Sequence, residues 1–304
     1  MVLSAWIEAI RLRTLPLATA SILLGSALAA YYHGFKTSVF IFSMTTALLL
    51  QILSNLANDY GDAMHGTDND SRVGPARAIQ SGVISAAAMK RAVFICAGLA
   101  ILSGLALLTV GLANNWRAWV CFIALGIAAV IAAITYTMGK MPYGYRGFGD
   151  ISVFLFFGLL GVAGSYYLHT GGLERSVWLP AIASGLLSAA VLNINNIRDL
   201  EPDKAAGKHT LAVRLGAHLA RVYHQVLVLG ALVAFVLFVR EVHSYAGYLV
   251  LLAAIPLVKS AWTVYHSRDP QILDGLLKQT AKLSLFANVS LSVGLLISMY
   301  PAFR

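Results

Sequence analysis

Residues 179–208 read LPAIASGLLSAAVLNI followed by NNIRDLEPDKAAGK, and this stretch indicates the fold class. Its first half is apolar, and its second half carries three acids and three bases. An apolar run of about 20 residues can cross the hydrocarbon core of a bilayer, about 30 Å thick. Such runs recur along the 304 residues, of which 59% are hydrophobic and 12% charged. Because soluble domains carry about 25% charged residues, we predict an all-α polytopic membrane protein.

The apolar runs predict nine transmembrane helices around a central cavity, in one domain over residues 1–304. The predicted spans are 15–33, 38–57, 89–111, 117–138, 150–169, 177–197, 222–240, 245–265 and 281–300. With loops assigned alternately to two sides, all but five of the 22 Lys and Arg residues share the side of the N-terminus. The five are Lys36, Arg117, Arg175, Arg240 and Arg304. The positive-inside rule then predicts a cytoplasmic N-terminus and an external C-terminus.

The formal net charge of +9 would suit binding either to nucleic acid or to anionic membrane lipid. The bases lie in short loops between spans, where topology and anionic lipid headgroups account for them. We therefore predict contact with membrane lipid and none with nucleic acid. The two cysteines, Cys96 and Cys121, lie far apart inside apolar runs and lack the spacing of metal ligands.

The acidic residues are also segregated. All but Glu174 and Glu241 of the 13 fall on the predicted cytoplasmic side, and most form two clusters. The first, NLANDYGDAMHGTDNDSRVGPAR (55–77), follows the second span, and the second, NNIRDLEPDKAAGK (195–208), follows the sixth. Both contain N-x-x-x-D, at 58–62 and at 195–199, so the copies are offset by 137 residues. This match predicts a pseudo-repeat of helices 1–4 and 5–8 whose acidic ends face each other.

The spacing within the second cluster favours a metal site. Asn195, Asp199 and Asp203 share one helical face if the helix continues, although Pro202 opposes a continuous helix. Clustered carboxylates repel one another unless a cation neutralises them, and Mg²⁺ prefers carboxylates, substrate phosphates and waters. We therefore predict Mg²⁺ and a diphosphate between the clusters. The cations expected near the remaining phosphate oxygens are Arg72, Arg77, Arg198, Lys204 and Lys208.

A third polar segment, YTMGKMPYGYRGFGD (136–150), joins the fourth and fifth spans. Tyr136 and Lys140 stand one helical turn apart, so they are expected to face the same cavity. The ring of Tyr136 would stabilise a developing cation. Lys140 would contact a diphosphate or a substrate carboxylate.

These motifs resemble those of the UbiA superfamily of intramembrane prenyltransferases. Its first motif, roughly N-D-x-x-D-x-x-x-D, is matched by Asn58, Asp59 and Asp62, but its last position holds Gly66, with Asp68 two residues later. The second motif, N-x-x-x-D-x-x-x-D, is matched fully by residues 195–203. The Y-x-x-x-K element is matched by residues 136–140.

The resemblance implies an enzyme that binds a polyprenyl diphosphate through Mg²⁺ and prenylates an aromatic acceptor. It implies that Asp62, Asp199, Tyr136 and Lys140 are catalytic. The implied metal ligands are Asp59, Asp62, Asp68, Asp199 and Asp203. The implied substrate-binding residues are Asn58, Arg72, Arg77, Asn195, Arg198, Lys204 and Lys208.

Three segments are most similar to one branch of the superfamily, which prenylates 1,4-dihydroxy-2-naphthoate in the menaquinone pathway. They begin NDYGDAMHGTD, YGYRGFGDISV and NNIRDLEPDKA. The branch implies a bacterial inner membrane with the active site on its cytoplasmic side. Another acceptor, such as 4-hydroxybenzoate, stays open, because the diphosphate half of the site is shared. A secondary transporter is the alternative from a different class, and a purely structural scaffold is a third; transporter acids usually lie near the midplane rather than at helix ends.

Overall fold

The computed structural model describes residues 2–66 and 78–300; Asp68, Arg72 and Arg77 lie outside the described residues. Every regular element in the described ranges is helical. The α-helices are Val2–Ile10 (α1), Leu15–Tyr31 (α2), Thr37–Met64 (α3), Ala86–Gly111 (α4), Trp116–Thr135 (α5), Gly149–Val153 (α6), Ser165–Thr170 (α7), Trp178–Arg198 (α8), Leu200–Ala205 (α9), Leu211–Glu241 (α10), Ala254–His266 (α11) and Pro270–Ile297 (α12). A π-helix, Phe154–Gly164, joins α6 to α7. The 3₁₀ helices are Leu12–Thr14, Tyr143–Arg146, Arg175–Val177 and Ala246–Ala253.

Nine segments of the described ranges are long and apolar enough to cross a membrane, which confirms the predicted polytopic class. They are Leu3–Tyr31, Thr37–Met64, Ala86–Gly111, Trp116–Thr135, Gly149–Thr170, Arg175–Arg198, Leu211–Glu241, Ala246–His266 and Pro270–Ile297. The orientation of the termini and the pseudo-repeat of helices stay predictions.

The ninth helix begins earlier than the predicted residue 281. Pro270 occupies its first turn, and the carboxylate of Asp269 accepts a hydrogen bond from the Gln271 amide at 2.8 Å. Aspartate at the N-cap followed by proline is a strong start signal. The polar turns before the apolar run are therefore helical, and they place Asp274 near one end of the bundle.

Helix α8 lies at the centre of the bundle. In the membrane-spanning segment that contains it, 72% of the most apolar stretch is buried, against 11% in the segment formed by α5. It packs against α10, α12 and the π-helix. Glycines allow the closest crossing, because a Cβ on Gly158 would lie 2.6 Å from the Ala181 carbonyl oxygen and one on Gly185 would lie 2.9 Å from the Phe154 carbonyl oxygen. Small residues at such crossings let helix backbones approach in membranes.

A cavity of about 560 Å³ lies beside this central helix, within the size range of small-molecule sites. Its walls come from α2, α3, α4, α5, the π-helix and α8. One end is lined by both N-x-x-x-D motifs, and the rest is mainly apolar. On the side of α4 and α5, lining residues such as Ile101 and Ile127 are 48% and 54% exposed. The rest of the bundle therefore covers these two wall residues only in part.

Candidate active site

The two acidic motifs meet at one mouth of the cavity. Asn58 and Asp62 come from the last turns of α3, Asn195 from the end of α8, and Asp199 and Asp203 from the turn and helix that follow. All five side chains line the cavity. The structure thus brings together residues 137 positions apart in sequence, in the facing arrangement that the pattern predicts.

Asp62 is held by groups that are distant in sequence. Its Oδ1 accepts a hydrogen bond from the Tyr145 hydroxyl at 2.7 Å and one from Lys208 Nζ at 3.2 Å. The Lys208 ammonium also lies 4.5 Å from the centre of the Tyr145 ring. A loop after α5 and a loop after α9 therefore fix the first motif together. Tyr145 belongs to the aromatic segment 136–150, but its sequence spacing gave no reason to choose it.

Asp199 is held by its neighbour in sequence. The Arg198 guanidinium donates to both Asp199 carboxylate oxygens, at 2.8 and 2.6 Å, and to Asn195 Oδ1 at 2.9 Å. Its remaining terminal nitrogen donates to Asp274 Oδ1 at 2.7 Å. The prediction that Arg198 contacts the diphosphate is therefore not supported by its place, because its side chain is fully buried and committed to these partners. Arg198 instead positions the motif.

Asp274 was not singled out from the sequence, since it precedes the last apolar run by only a few residues. Besides Arg198, Asp274 contacts Lys278 at 2.6 Å and Arg13 at 3.5 Å. It therefore ties the second motif to α12 and to the N-terminal segment. No spacing rule relates residues 76 positions apart, so only the fold reveals this link.

Pro202 interrupts the helix, but Asn195, Asp199 and Asp203 still share one face. Proline has no N–H to donate to the Arg198 carbonyl, and α8 ends there. Helical hydrogen bonds nevertheless run from the Asp203 amide to the Asp199 carbonyl at 2.8 Å and from the Asp199 amide to the Asn195 carbonyl at 3.0 Å. The three motif residues therefore keep their four-residue register, and all line the cavity.

Gly207 turns the chain back toward this mouth. Its φ of +72° is left-handed, and the Lys208 amide donates to the Asp203 carbonyl at 2.8 Å, which closes a Schellman turn after α9. The turn places Lys208 Nζ 3.6 Å from Asp203 Oδ1 and 3.2 Å from Asp62 Oδ1. Burial raises the pKa of Asp203 to about 6, with the carboxylates of Asp199 and Asp62 adding to the shift and Lys208 opposing it. At Asp203, burial and the two neighbouring carboxylates therefore outweigh the effect of the Lys208 ammonium.

Tyr136 and Lys140 do not share a face. Helix α5 ends at Thr135, and Gly139 adopts a left-handed φ of +99°, which diverts the chain before Lys140. Tyr136 lines the cavity, and burial raises the pKa of its hydroxyl well above the usual range, so the group stays protonated. Lys140 is exposed and does not line the cavity. The helical spacing assumed between the two residues was therefore wrong.

Two further predicted residues point elsewhere. The Asp59 carboxylate accepts a hydrogen bond from the Arg11 guanidinium at 2.7 Å and does not line the cavity, since consecutive helical residues lie about 100° apart. This placement gives no support to its assignment as a metal ligand, which stays a prediction. Lys204 is exposed on α9, away from the cavity lining. Its assignment as a phosphate contact finds no support in this placement.

A second polar region lies deeper on the α3 wall. Gln51 and Asn55 line the cavity, and Thr14 faces them from the start of α2. Neither residue was predicted to belong to the site, because Gln51 stands inside an apolar run and Asn55 begins the first acidic cluster but lies outside its N-x-x-x-D pattern. Their side-chain spacing of four residues was the available signal.

The oxygen donors at the mouth are of the kind that Mg²⁺ prefers. Asp62, Asp199 and Asp203 line one space, together with Asn58 and Asn195. Within residues 2–66 and 78–300, no three His, Cys, Asp or Glu side chains converge closely enough to hold a metal alone. The residues therefore fit Mg²⁺ in the way typical of this ion, with substrate phosphates and waters completing its shell.

Comparison with known proteins agrees with this geometry. The family model described as the UbiA prenyltransferase family matches residues 18–296. A protein of Escherichia coli (strain K12) named 1,4-dihydroxy-2-naphthoate octaprenyltransferase is 49% identical, over 98% of this chain and 97% of its own length. The structure described as the apo form of a UbiA homolog from Aeropyrum pernix K1 is similar with a TM-score of 0.67 and 19% identity, covering 96% of this chain and 98% of that one.

A further solved structure is similar over 93% of this chain and 99% of its own, with a TM-score of 0.51 and 17% identity. It is described as a UbiA homolog from Archaeoglobus fulgidus bound to DMAPP and Mg²⁺. The bundle found here is therefore the fold of these proteins. With the family model matched over almost its whole length, the chain belongs to the UbiA prenyltransferase family.

Proposed function

We propose that this protein transfers a polyprenyl group from polyprenyl diphosphate to 1,4-dihydroxy-2-naphthoate, with release of diphosphate and CO₂. One observation carries the proposal: two N-x-x-x-D motifs face each other at the mouth of a cavity whose remaining walls are apolar. This shape accommodates a substrate with a charged head and a hydrocarbon tail. The acceptor is supported by the 49% identity to the Escherichia coli octaprenyltransferase.

The metal is part of the same proposal. Asp62, Asp199 and Asp203 would hold Mg²⁺ together with the diphosphate, as the ligands named for the Archaeoglobus fulgidus homolog suggest. Bound Mg²⁺ would neutralise the charge that develops on the leaving diphosphate. Asp68, Arg72 and Arg77 remain proposed contacts of this head group on sequence grounds.

The chain's own residues support the chemistry in three ways. Arg198 fixes the direction of Asp199, and Tyr145 and Lys208 fix Asp62. The apolar walls exclude water, which would otherwise trap an allylic cation. The face of Tyr136, which lines the cavity, stabilises positive charge on the prenyl group.

The bond changes balance without an added oxidant. The allylic carbon–oxygen bond breaks, and its electron pair leaves on the diphosphate. The ring carbon that bears the carboxylate forms the new carbon–carbon bond. Loss of CO₂ then returns an electron pair to the ring, and the product is a demethylmenaquinol that later oxidises to demethylmenaquinone.

The membrane location follows from the nine apolar segments, and we propose the bacterial inner membrane with the acidic mouth on the cytoplasmic side. A transporter is disfavoured because the carboxylates gather at helix ends on one side of the bundle rather than at mid-membrane broken helices.

The test is a product assay. Purified protein in detergent is incubated with radiolabelled polyprenyl diphosphate, Mg²⁺ and either 1,4-dihydroxy-2-naphthoate or 4-hydroxybenzoate. We expect a lipid-soluble labelled product and labelled CO₂ from carboxyl-labelled dihydroxynaphthoate. Product with 4-hydroxybenzoate alone would overturn the acceptor, and Mg²⁺-independent solute uptake into vesicles without product would overturn the enzyme.

A further inference from the structure

The second polar region of the cavity forms a continuous face with the first motif. Gln51, Asn55, Asn58 and Asp62 follow the helical spacing of three and four residues on α3, and all four line the cavity. At a rise of 1.5 Å per residue, Gln51 lies about 16 Å along the helix from Asp62 and Asn55 lies about 10 Å from it. The region therefore stands deeper than the place of the diphosphate.

Backbone carbonyls fix the orientation of Asn55 and Thr14, and these two side chains fix that of Gln51. The Asn55 amide nitrogen donates to the Ile10 carbonyl at 2.7 Å, so its Oδ1 must be the atom that faces Gln51. The Thr14 hydroxyl donates to the Arg11 carbonyl at 3.0 Å, so its oxygen is left to accept. Gln51 Nε2 then donates to Asn55 Oδ1 at 3.2 Å and to Thr14 Oγ1 at 3.3 Å.

These hydrogen bonds leave one acceptor without a donor, the side-chain oxygen of Gln51. With its nitrogen committed, Gln51 must present Oε1, which is buried and has no hydrogen-bond partner among the described residues. Gln51 itself is only 9% exposed and lines the cavity. A buried acceptor without a donor costs stability, and in a substrate cavity it indicates where a ligand brings a donor.

We propose that Gln51 Oε1 accepts a hydrogen bond from a hydroxyl of the aromatic acceptor and so selects hydroquinone-type substrates. The inference rests on the proposed function. In 1,4-dihydroxy-2-naphthoate the 1-hydroxyl is hydrogen-bonded internally to the neighbouring carboxylate, whereas the 4-hydroxyl is free to donate. The carbon that reacts then faces the acidic mouth, and the 4-hydroxyl lies deeper in the cavity, toward Gln51.

The test combines one substitution with one missing hydroxyl. Gln51→Met keeps the length of the side chain and removes the acceptor. We expect it to raise the KM for 1,4-dihydroxy-2-naphthoate about 10-fold, the order of one net hydrogen bond, with the KM for polyprenyl diphosphate within about twofold. The analogue 1-hydroxy-2-naphthoate, which lacks the 4-hydroxyl, should show the same inhibition constant in the wild type and in the variant.

The control is Cys96→Ala, because Cys96 packs against the back of α3 at the Leu49 carbonyl and does not line the cavity. We expect it to leave both KM values unchanged. Where Gln51→Met fails to fold, Gln51→Asn withdraws the carbonyl while keeping the amide, and a smaller rise in the same KM is expected.

The outcomes separate the two proposals. A wild type that forms no product from dihydroxynaphthoate contradicts the proposed function. A wild type that does form product, beside a Gln51→Met variant whose KM for dihydroxynaphthoate is unchanged, overturns the role of Gln51 alone. The same holds if the variant weakens 1-hydroxy-2-naphthoate as much as it weakens the substrate, since the 4-hydroxyl would then not be the group that Gln51 reads.

Discussion

Asp62 and Asp199 occupy the same position of the same N-x-x-x-D pattern, yet they are held in opposite ways. Asp62 depends on Tyr145 and Lys208, which lie 83 and 146 residues away. Asp199 depends on the adjacent Arg198, which is backed by Asp274. The first motif is thus assembled by loops, whereas the second is supported by a buried ion-pair network within the bundle.

The contrast shows that a repeated motif need not have repeated surroundings. The ammonium of Lys208 stands among the carboxylates and competes with any metal for them. The guanidinium of Arg198 has a second carboxylate, Asp274, that shares its charge. Asp274 therefore leaves Asp199 more of its negative charge for a cation, and this difference is open to direct tests.

The largest effect should come from removing either carboxylate, and it should separate activity from stability. We expect Asp62→Asn and Asp199→Asn each to lower kcat/KM by at least about 100-fold, because each removes a proposed metal ligand. Asp199→Asn should also destabilise the fold more than Asp62→Asn does, by about 1.5 kcal/mol, since the buried Arg198 loses a charged bidentate partner and keeps only the Asp274 carboxylate. Thermal unfolding in detergent, alongside turnover, measures both. Equal melting temperatures for the two variants would contradict the comparison.

The next effect concerns Asp274. Asp274→Asn should raise the Mg²⁺ concentration for half-maximal activity about 10-fold, as outer-shell substitutions do, because Arg198 then draws more fully on Asp199. Binding of Mn²⁺, followed by electron paramagnetic resonance, should weaken in parallel. Asp269→Asn is the matched control on the same helix: asparagine caps a helix as well as aspartate does, so its Mg²⁺ dependence should equal that of the wild type.

Lys208 should give the opposite sign. In Lys208→Gln the ammonium no longer competes for Asp62 and Asp203, so less Mg²⁺ should be needed, by about fivefold, while the KM for polyprenyl diphosphate rises. Lys204→Gln, on the exposed side of α9, serves as the control and should change neither quantity. If Lys208→Gln needs more Mg²⁺ instead, the ammonium does not act as a competitor.

The smallest effect should follow from the loss of one hydroxyl. Tyr145→Phe removes the hydrogen bond to Asp62 and keeps the ring against Lys208, so kcat/KM should fall only about threefold. Tyr245→Phe, at an exposed tyrosine remote from the cavity lining, should have no effect. A loss with Tyr145→Phe as large as that with Asp62→Asn would show that the hydroxyl does more than hold the carboxylate.

Much of this architecture was readable in the sequence. Hydrophobic length gave the nine spans, because a bilayer imposes one length on every segment. The four-residue spacing predicted the shared face of Asn195, Asp199 and Asp203. This face persists despite Pro202, because the Asp199 and Asp203 amides still donate helical hydrogen bonds to carbonyls four residues earlier. Both results depend on local geometry, which periodicity describes directly.

What escaped the sequence depends on tertiary contacts. Arg198 was predicted to contact phosphate, because its hydrogen bond to the distant Asp274 cannot be inferred from the sequence. Lys140 looked like a partner of Tyr136 because the end of α5 at Thr135 carries no clear stop signal before Gly139. Gln51 was not predicted as a site residue, because it is a single polar residue inside an apolar run. Its role becomes apparent only from the cavity wall that it forms with Asn55, Asn58 and Asp62.

The partly exposed wall residues on α4 and α5 have a consequence for how the protein selects the length of its donor. A closed pocket selects the length of the prenyl tail, since its far wall excludes isoprene units beyond those that fit. Here Ile101 and Ile127 line the cavity and are about half exposed, so this wall would not confine a long tail as a closed pocket does. We therefore expect the length of the prenyl chain in the product to follow the donor that is supplied, rather than the size of this cavity.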